Sequence, residues 1–190
     1  ALLLIGFGIQ DSILPIVDKQ SGQLTHNDLT ISLSDEKALT MEQGLADTLD
    51  SSSAVRSWGA FYTKSTTLYN EEGGSADVSI VGAEDDARMT EYFTFRTRVG
   101  HDPIPFEEDS VILTEKTALN LELSVGDTFY VEAADGSRVP LVLTGITENY
   151  MFTRLYLSNA QLQALLGSTP EWNTVYGLTG CTTEAEYNAL

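Results

Sequence analysis

A chain of 190 residues with 42% hydrophobic side chains is long enough to bury a real core, in one large domain or two small lobes. Its 28 acids against 10 bases give a net charge of −18, which argues against nucleic acid, because a phosphate backbone needs a basic face. The same balance argues against docking on anionic lipid through a polybasic patch; it favours cations or cationic peptides, with a strength that salt screens.

The chain opens on an apolar run, residues 1–9, made only of Ala, Leu, Ile, Phe and Gly. Nine residues cannot cross a bilayer, which takes about 20, and the run has neither a charged leader nor a cleavage site of its own. It reads as the outer end of a spanning helix or as an ordinary buried helix. Residues 10–23, apart from Pro15, read as a helix that continues from it and that Ser21-Gly22 stops.

Residues 28–33 alternate, with Leu29, Ile31 and Leu33 on one face and Thr30 and Ser32 on the other, the mark of a half-buried strand. Thr40 and Gln43 have capping-box spacing, and Met41, Leu45 and Leu49 then fall on one helical face. Residues 55–69 are rich in β-branched and aromatic side chains, Glu71-Glu72-Gly73-Gly74 supplies a turn, and residues 76–82 return as the second strand of a hairpin.

Residues 89–99 read as a strand with Phe93, Phe95 and Val99 on one face, broken by His101-Asp102-Pro103. Val111-Ile112-Leu113 is a short apolar strand, after which Thr114 is placed to cap a helix with Glu115 at its positive end and Ala118, Leu119 and Leu121 on its apolar side. Val125-Gly126-Asp127 turns into a strand over 128–133, and Asp135-Gly136 makes a hairpin into a strand over 138–147, at an edge because of Pro140. Leu155-Tyr156-Leu157 is a further strand. Ser158 and Gln161 form a second capping box, with Leu162, Leu165 and Leu166 inside the helix and Gly167 at its stop. A strand over 173–178 and a helix from Thr183 through Glu186 close the chain.

Taken in order, these segments resemble the extracytoplasmic, MacB-like periplasmic core domain of an FtsX-like, MacB-type ABC-transporter permease. The residues that carry the resemblance are the apolar run leading into Asp11-Ser12-Ile13, then Val111 through Ala118 with the turn Leu123-Ser124-Val125-Gly126-Asp127-Thr128. Thr144 through Tyr150, Leu155 through Ser158 and Asn173-Thr174-Val175 continue it. Each motif alone is common, since glycine-aspartate turns serve strands everywhere; their order along most of the chain is what matches, and residues 65–75 align with nothing in it.

The resemblance implies an α+β, two-lobed architecture. Residues 1–23 would be the end of a transmembrane helix and a stalk, 24–88 plus 155–190 a membrane-proximal lobe of strand-helix-strand-strand order, and 89–154 an inserted, smaller, mostly β lobe. The crossings between lobes would fall near 83–88 and 148–152. It further implies a domain at the cell membrane, on its extracytoplasmic side, that is not an enzyme. Such a domain binds substrate or a partner protein and relays conformational change from a separate cytoplasmic ABC ATPase. The implied partners are that ATPase, a second permease subunit, and a peptide, lipoprotein or envelope protein as ligand, with no nucleic acid.

The residues themselves offer no catalytic, cofactor-binding or metal set. Glu84-Asp85-Asp86 and Glu107-Glu108-Asp109 are the acidic clusters, and neither has the spacing of a calcium loop. His26 and His101 stand far apart without a partner at metal-ligand spacing. Cys181 is the single cysteine, so no internal disulfide forms, and it reads as a small packed side chain. Trp58, Phe61 and Tyr62 read as core or cross-strand pairs before they read as a ligand groove. Two further function classes stay open at this level: a membrane-anchored hydrolase with an acidic cleft, and a sensor ectodomain.

Overall fold

The computed structural model describes residues 19–33 and 43–181. The apolar run, the capping box at Thr40 and the closing helix from Thr183 lie outside the described residues, in whole or in part. No helix among the described residues is long and apolar enough to cross a membrane.

The fold is α+β, built on one nine-stranded mixed sheet. A single π-helical turn, Gln20–Leu24, leads into β1 (Leu29–Ser32). Helix α1 (Gln43–Ser51) is followed by β2 (Val55–Tyr69) and β3 (Ser75–Ala83), then α2 (Asp86–Tyr92). Strand β4 (Val111–Thr114) runs into α3 (Glu115–Asn120); β5 (Thr128–Glu132), β6 (Arg138–Val142) and β7 (Gly145–Thr147) come next. Strand β8 (Arg154–Leu157), α4 (Asn159–Leu166) and β9 (Thr174–Thr179) complete the order.

The sheet runs β1-β9-β2-β3-β8-β4-β7, with β3–β8 and β4–β7 parallel and the remaining pairs antiparallel. Strand β2 organises it. Its 15 residues span about 50 Å of extended chain, long enough to pair with β9 through Phe61 and with β5 at Leu68 and Tyr69. The β2–β3 hairpin closes as its sequence predicts: Gly73 sits at φ 89 and the Gly74 amide donates to Asn70 Oδ1 at 2.6 Å.

Side chains alternate across this sheet, so the two faces carry two cores. On one face Tyr62, Leu68, Ile80, Leu155 and Val175 pack with Leu113, Phe129 and Leu143, beneath Leu49 of α1 and Leu162 and Leu165 of α4. On the other, Phe61, Val81, Tyr156 and Tyr176 pack with Met89 and Tyr92 of α2 and with Phe93 and Phe95. Helix α4 lies so close to β3 that a Cβ on Gly82 would stand 2.7 Å from Leu162 Cδ2 and 3.3 Å from the Leu157 carbonyl oxygen. Valine at Gly82 is therefore expected to force α4 outward and cost about 1–3 kcal/mol; thermal unfolding beside the wild type measures it, and an unchanged midpoint refutes the close approach.

Several sequence expectations give way. Residues 89–99 are not a strand. Asp85 caps α2, its Oδ1 accepting the Ala87 amide at 3.0 Å, and Met89 and Tyr92 then share one buried helical face. Phe93 and Phe95 do alternate inward, but from a largely irregular segment that pairs with neighbours only at isolated bridges, and Val99 is 85% exposed. The expected strand over 138–147 is two strands. At Leu143 the chain leaves the β5 hairpin, and the Thr144 amide donates to the Val111 carbonyl at 2.9 Å, starting the parallel pair β7–β4.

Thr114 holds the cap position of α3 without making the cap bond; its hydroxyl pairs with Thr117 and accepts the Arg154 amide. Leu119 is exposed, leaving Ala118 and Leu121 as the apolar side of α3. Ser21-Gly22 does not act as a helix stop, because both lie inside the π turn, which runs to Leu24. Ser158 and Gly167, by contrast, act as read. The Ser158 Oγ accepts the Gln161 amide at 3.2 Å, and Gly167 takes the left-handed conformation at φ 66.

Candidate functional site

The most heavily bonded polar cluster joins the Gln20–Leu24 turn to the body of the domain. Glu148 leaves the end of β7 with its side chain 1% exposed, beside Arg96, whose side chain is 17% exposed. Arg96 Nε donates to Glu148 Oε2 at 2.7 Å and the Tyr150 hydroxyl donates to Oε1. The backbones are joined too, the Glu148 amide donating to the Arg96 carbonyl at 2.8 Å. His101, held at φ 56, places Nε2 3.9 Å from the same carboxylate.

Two glutamines carry this cluster into the turn. Arg96 Nη2 donates to Gln23 Oε1 at 3.0 Å, and the Tyr150 amide donates to the buried Gln20 Oε1 at 3.0 Å. Gln20 Nε2 in turn donates to Thr25 Oγ1 at 3.1 Å. The Tyr150 ring is faced by the Lys19 ammonium at 5.6 Å and the Arg98 guanidinium at 4.9 Å, and Arg98 pairs with Glu115. Main-chain bonds follow the same path, from the Thr94 amide to the Leu24 carbonyl and from the His26 amide to that of Tyr92.

Burial alone would raise the Glu148 pKa. The hydrogen bond from Tyr150, that from Arg96 and the positive charge of Arg96 outweigh it, so the carboxyl is held below its ordinary value. The same bond to a carboxylate keeps the Tyr150 phenol protonated, its pKa raised.

Among the described residues, three of the larger clefts flank the sheet. One of about 600 Å³ is lined by Asp50, Arg56, Trp58, Glu84 and Arg88. One of about 420 Å³ lies on the open part of the aromatic face, around Thr63, Ser79, Thr174 and Arg154. One of about 470 Å³ lies between β2, the start of the β5–β6 turn and α4, around Tyr62, Lys64 and Leu166.

The residues singled out from sequence fall mostly into structural work. Phe61 and Tyr62 are buried on opposite faces of the sheet; Trp58 borders the first cleft and donates from Nε1 to Asp50 Oδ1 at 2.8 Å, tying α1 to β2. The two acidic clusters meet at the start of α4. Asp86 Oδ1 accepts the Asn159 amide at 2.8 Å, Asn159 Nδ2 donates to the Glu84 carbonyl, and the Ser158 hydroxyl donates to the Glu108 carbonyl. Burial raises the Asp86 pKa, and the charges of Asp85 and Glu108 add to it against the Asn159 bond.

His26 bonds Thr94 through its ring, and Cys181 is half-buried. Among the described residues no group of three or more His, Cys, Asp or Glu gathers where it could hold a metal ion. Sequence reading missed Glu148 as a site residue. The available signal was an acid inside the resemblance motif Thr144 through Tyr150, directly after an apolar strand.

A long β2 that pairs with three strands, β3, β5 and β9, and the parallel pairs β3–β8 and β4–β7 characterise the fold. This fold is similar to that of extracytoplasmic domains of ABC-type transporters. It is shared with the extracellular domain of the noncanonic ABC-type transporter YknZ from Gram-positive bacteria, at 16% identity and TM-score 0.53, over 84% of this chain and 86% of that one. It is shared too with the periplasmic region of MacB from Actinobacillus actinomycetemcomitans, at 12% identity and TM-score 0.50, over 87% and 81% of the two chains. No protein-family model matches the sequence, and no curated protein does.

Proposed function

We propose that this chain is a non-catalytic extracytoplasmic domain of an ABC-transporter permease at the cell membrane. It binds substrate or a partner protein and transmits conformational change from a separate cytoplasmic ATPase, in an assembly with a second permease subunit. The reading takes residues 1–23 as the end of a membrane helix and its stalk. Residues 24–88 plus 155–190 are then the membrane-proximal lobe, and 89–154 the inserted one.

The observation that carries it is the joint. Gln20 and Gln23 connect the turn at the base of the domain to Glu148, Arg96 and Tyr150, so movement of the turn has a bonded route into β7 and the segment ahead of β4. Such a junction transmits displacement because its members are held in one geometry by charge-assisted bonds. The hydrolase alternative has less support: in the first acidic cluster the Asp85 carboxylate caps α2 and that of Asp86 accepts the Asn159 amide at the start of α4.

The test uses the full-length protein with its ATPase in a lipid bilayer. Cys181→Ser removes the native thiol and Glu72→Cys, in the exposed β2–β3 turn, takes a spin label. The distance between labels on two permease copies is expected to change when ATP is trapped, and Gln20→Ala with Gln23→Ala is expected to flatten that change. A distance indifferent to ATP in the otherwise unaltered protein refutes the transmission reading.

A further inference from the structure

The cleft on the open part of the aromatic face is lined by an arginine with no carboxylate ion pair among the described residues. Arg154 projects from β8 where that face passes from aromatic to hydroxyl-bearing, its guanidinium carbon 5.4 Å from the centre of the Phe93 ring and 4.4 Å from that of Phe152. Nη1 is buried and has no hydrogen-bond partner among the described residues. A buried, unsatisfied donor on a charged group is costly and uncommon in folded proteins. The cation also acts on its neighbours: burial raises the pKa of Tyr156 and Tyr176, the Arg154 charge opposes it at both, and a hydrogen bond from Arg154 opposes it further at Tyr156.

The surroundings restrict what could satisfy it. The floor of the cleft, about 420 Å³, offers hydroxyls from β1, β2, β3 and β9, among them Thr63 and Thr174, whose oxygens stand 2.6 Å apart. Asp77 also borders the cleft, with its Oδ1 accepting from Thr67. At the mouth Met151 and Phe152 are 52% and 45% exposed, turned there by an Asx turn in which Asn149 Oδ1 accepts both their amides.

We propose that this cleft binds the free C-terminal end of a peptide, its carboxylate on Arg154 and an apolar side chain against Met151 and Phe152. A guanidinium binds a carboxylate through charge-assisted hydrogen bonds. Beside Asp77, a singly charged carboxylate meets less repulsion than a doubly charged phosphate would. The hydroxyl floor serves peptide amides, whereas a hydrocarbon tail would leave those hydroxyls without partners. The inference rests on the binding half of the function proposed above and supplies its ligand chemistry.

The experiment is calorimetric titration of the full chain, without nucleotide, so its outcome is independent of ATP-driven motion. The probes are N-acetyl-Gly-Gly-Leu with a free carboxylate, the same peptide as its C-terminal amide, and dodecanoate. The free acid is expected to bind about tenfold tighter than the amide, the value of one charge-assisted pair. Arg154→Met, which keeps an apolar stem between Phe93 and Phe152, is expected to abolish that preference. Equal affinity for acid and amide in the unaltered protein overturns the proposal without recourse to any variant. A preference that survives in Arg154→Met overturns the role of Arg154, and tighter binding of dodecanoate than of the peptide acid overturns the peptide.

Discussion

Glutamine at Glu148 is expected to cost about 3 kcal/mol at neutral pH, the lower end of what breaking a buried ion pair costs. The lower end applies because Arg96 retains 17% exposure, and water partly compensates a guanidinium left without its carboxylate. For a domain of this size the loss corresponds to a melting point about 10 °C lower. The amide is nearly isosteric and still accepts from Tyr150, so the loss reports the missing charge rather than a cavity.

The pH dependence provides a second reading. The Glu148 pKa is held below the ordinary value of 4.5, so its stabilisation is complete above that value. It is lost as the pH falls through the lowered, folded-state value. The difference between wild type and Glu148→Gln should therefore shrink on acidification below 4.5 and be constant near neutrality. Urea unfolding of both proteins across that range measures it. Equal stability at neutral pH, or a gap that widens in acid, would show that the joint is not held by this charge. Replacing Arg96 and Glu148 together by methionine should recover much of the loss, because the penalty lies in the unpaired partner.

Alanine at Phe61 is expected to be the most damaging single truncation, at about 3–5 kcal/mol. The ring is fully buried and meets Tyr92 at 5.6 Å, Phe93 at 6.1 Å and Tyr176 at 4.8 Å between centroids, each edge to face. These three partners come from α2, from the segment after it and from β9, so one ring links two strands of the sheet to α2 and the segment that follows it. Removing it forfeits the transfer energy of the ring and leaves a cavity that three rigid aromatics cannot fill. Near-ultraviolet circular dichroism should lose intensity along with the fall in denaturation midpoint. Phe61→Leu should fall between the two proteins. A midpoint within experimental error of the wild type would mean that α2 is held on the sheet by something other than this cluster.

Both predictions concern residues whose importance comes from partners distant in the chain, and that distance marks the limit of sequence reading here. The β2–β3 hairpin, the Asp135-Gly136 turn and the Ser158 to Gly167 helix were legible because each signal is contained within a few residues. A glycine at positive φ, a serine oxygen facing an amide three residues on, and a period of two or of about 3.6 require no knowledge of the remainder of the fold. The α+β class followed from those pieces, and the permease resemblance from their order.

Residues 86–99 show where local signals conflict. The alternation of Phe93 and Phe95 suggested a strand, yet the Asp85 cap and the spacing of Met89 and Tyr92 suit a helix, and the aromatic face of the sheet selects the helix by burying both side chains. Only the tertiary structure decided that β2 would pair with β9 and β5 as well as with its hairpin partner β3, that Leu143 would hand the chain from a hairpin to a parallel pair, and that Gln20, Arg96 and Glu148 would meet. The physical reason is range: caps and turns act within one turn of chain, whereas strand order, a buried ion pair and an arginine lining a cleft are fixed only once distant segments have packed.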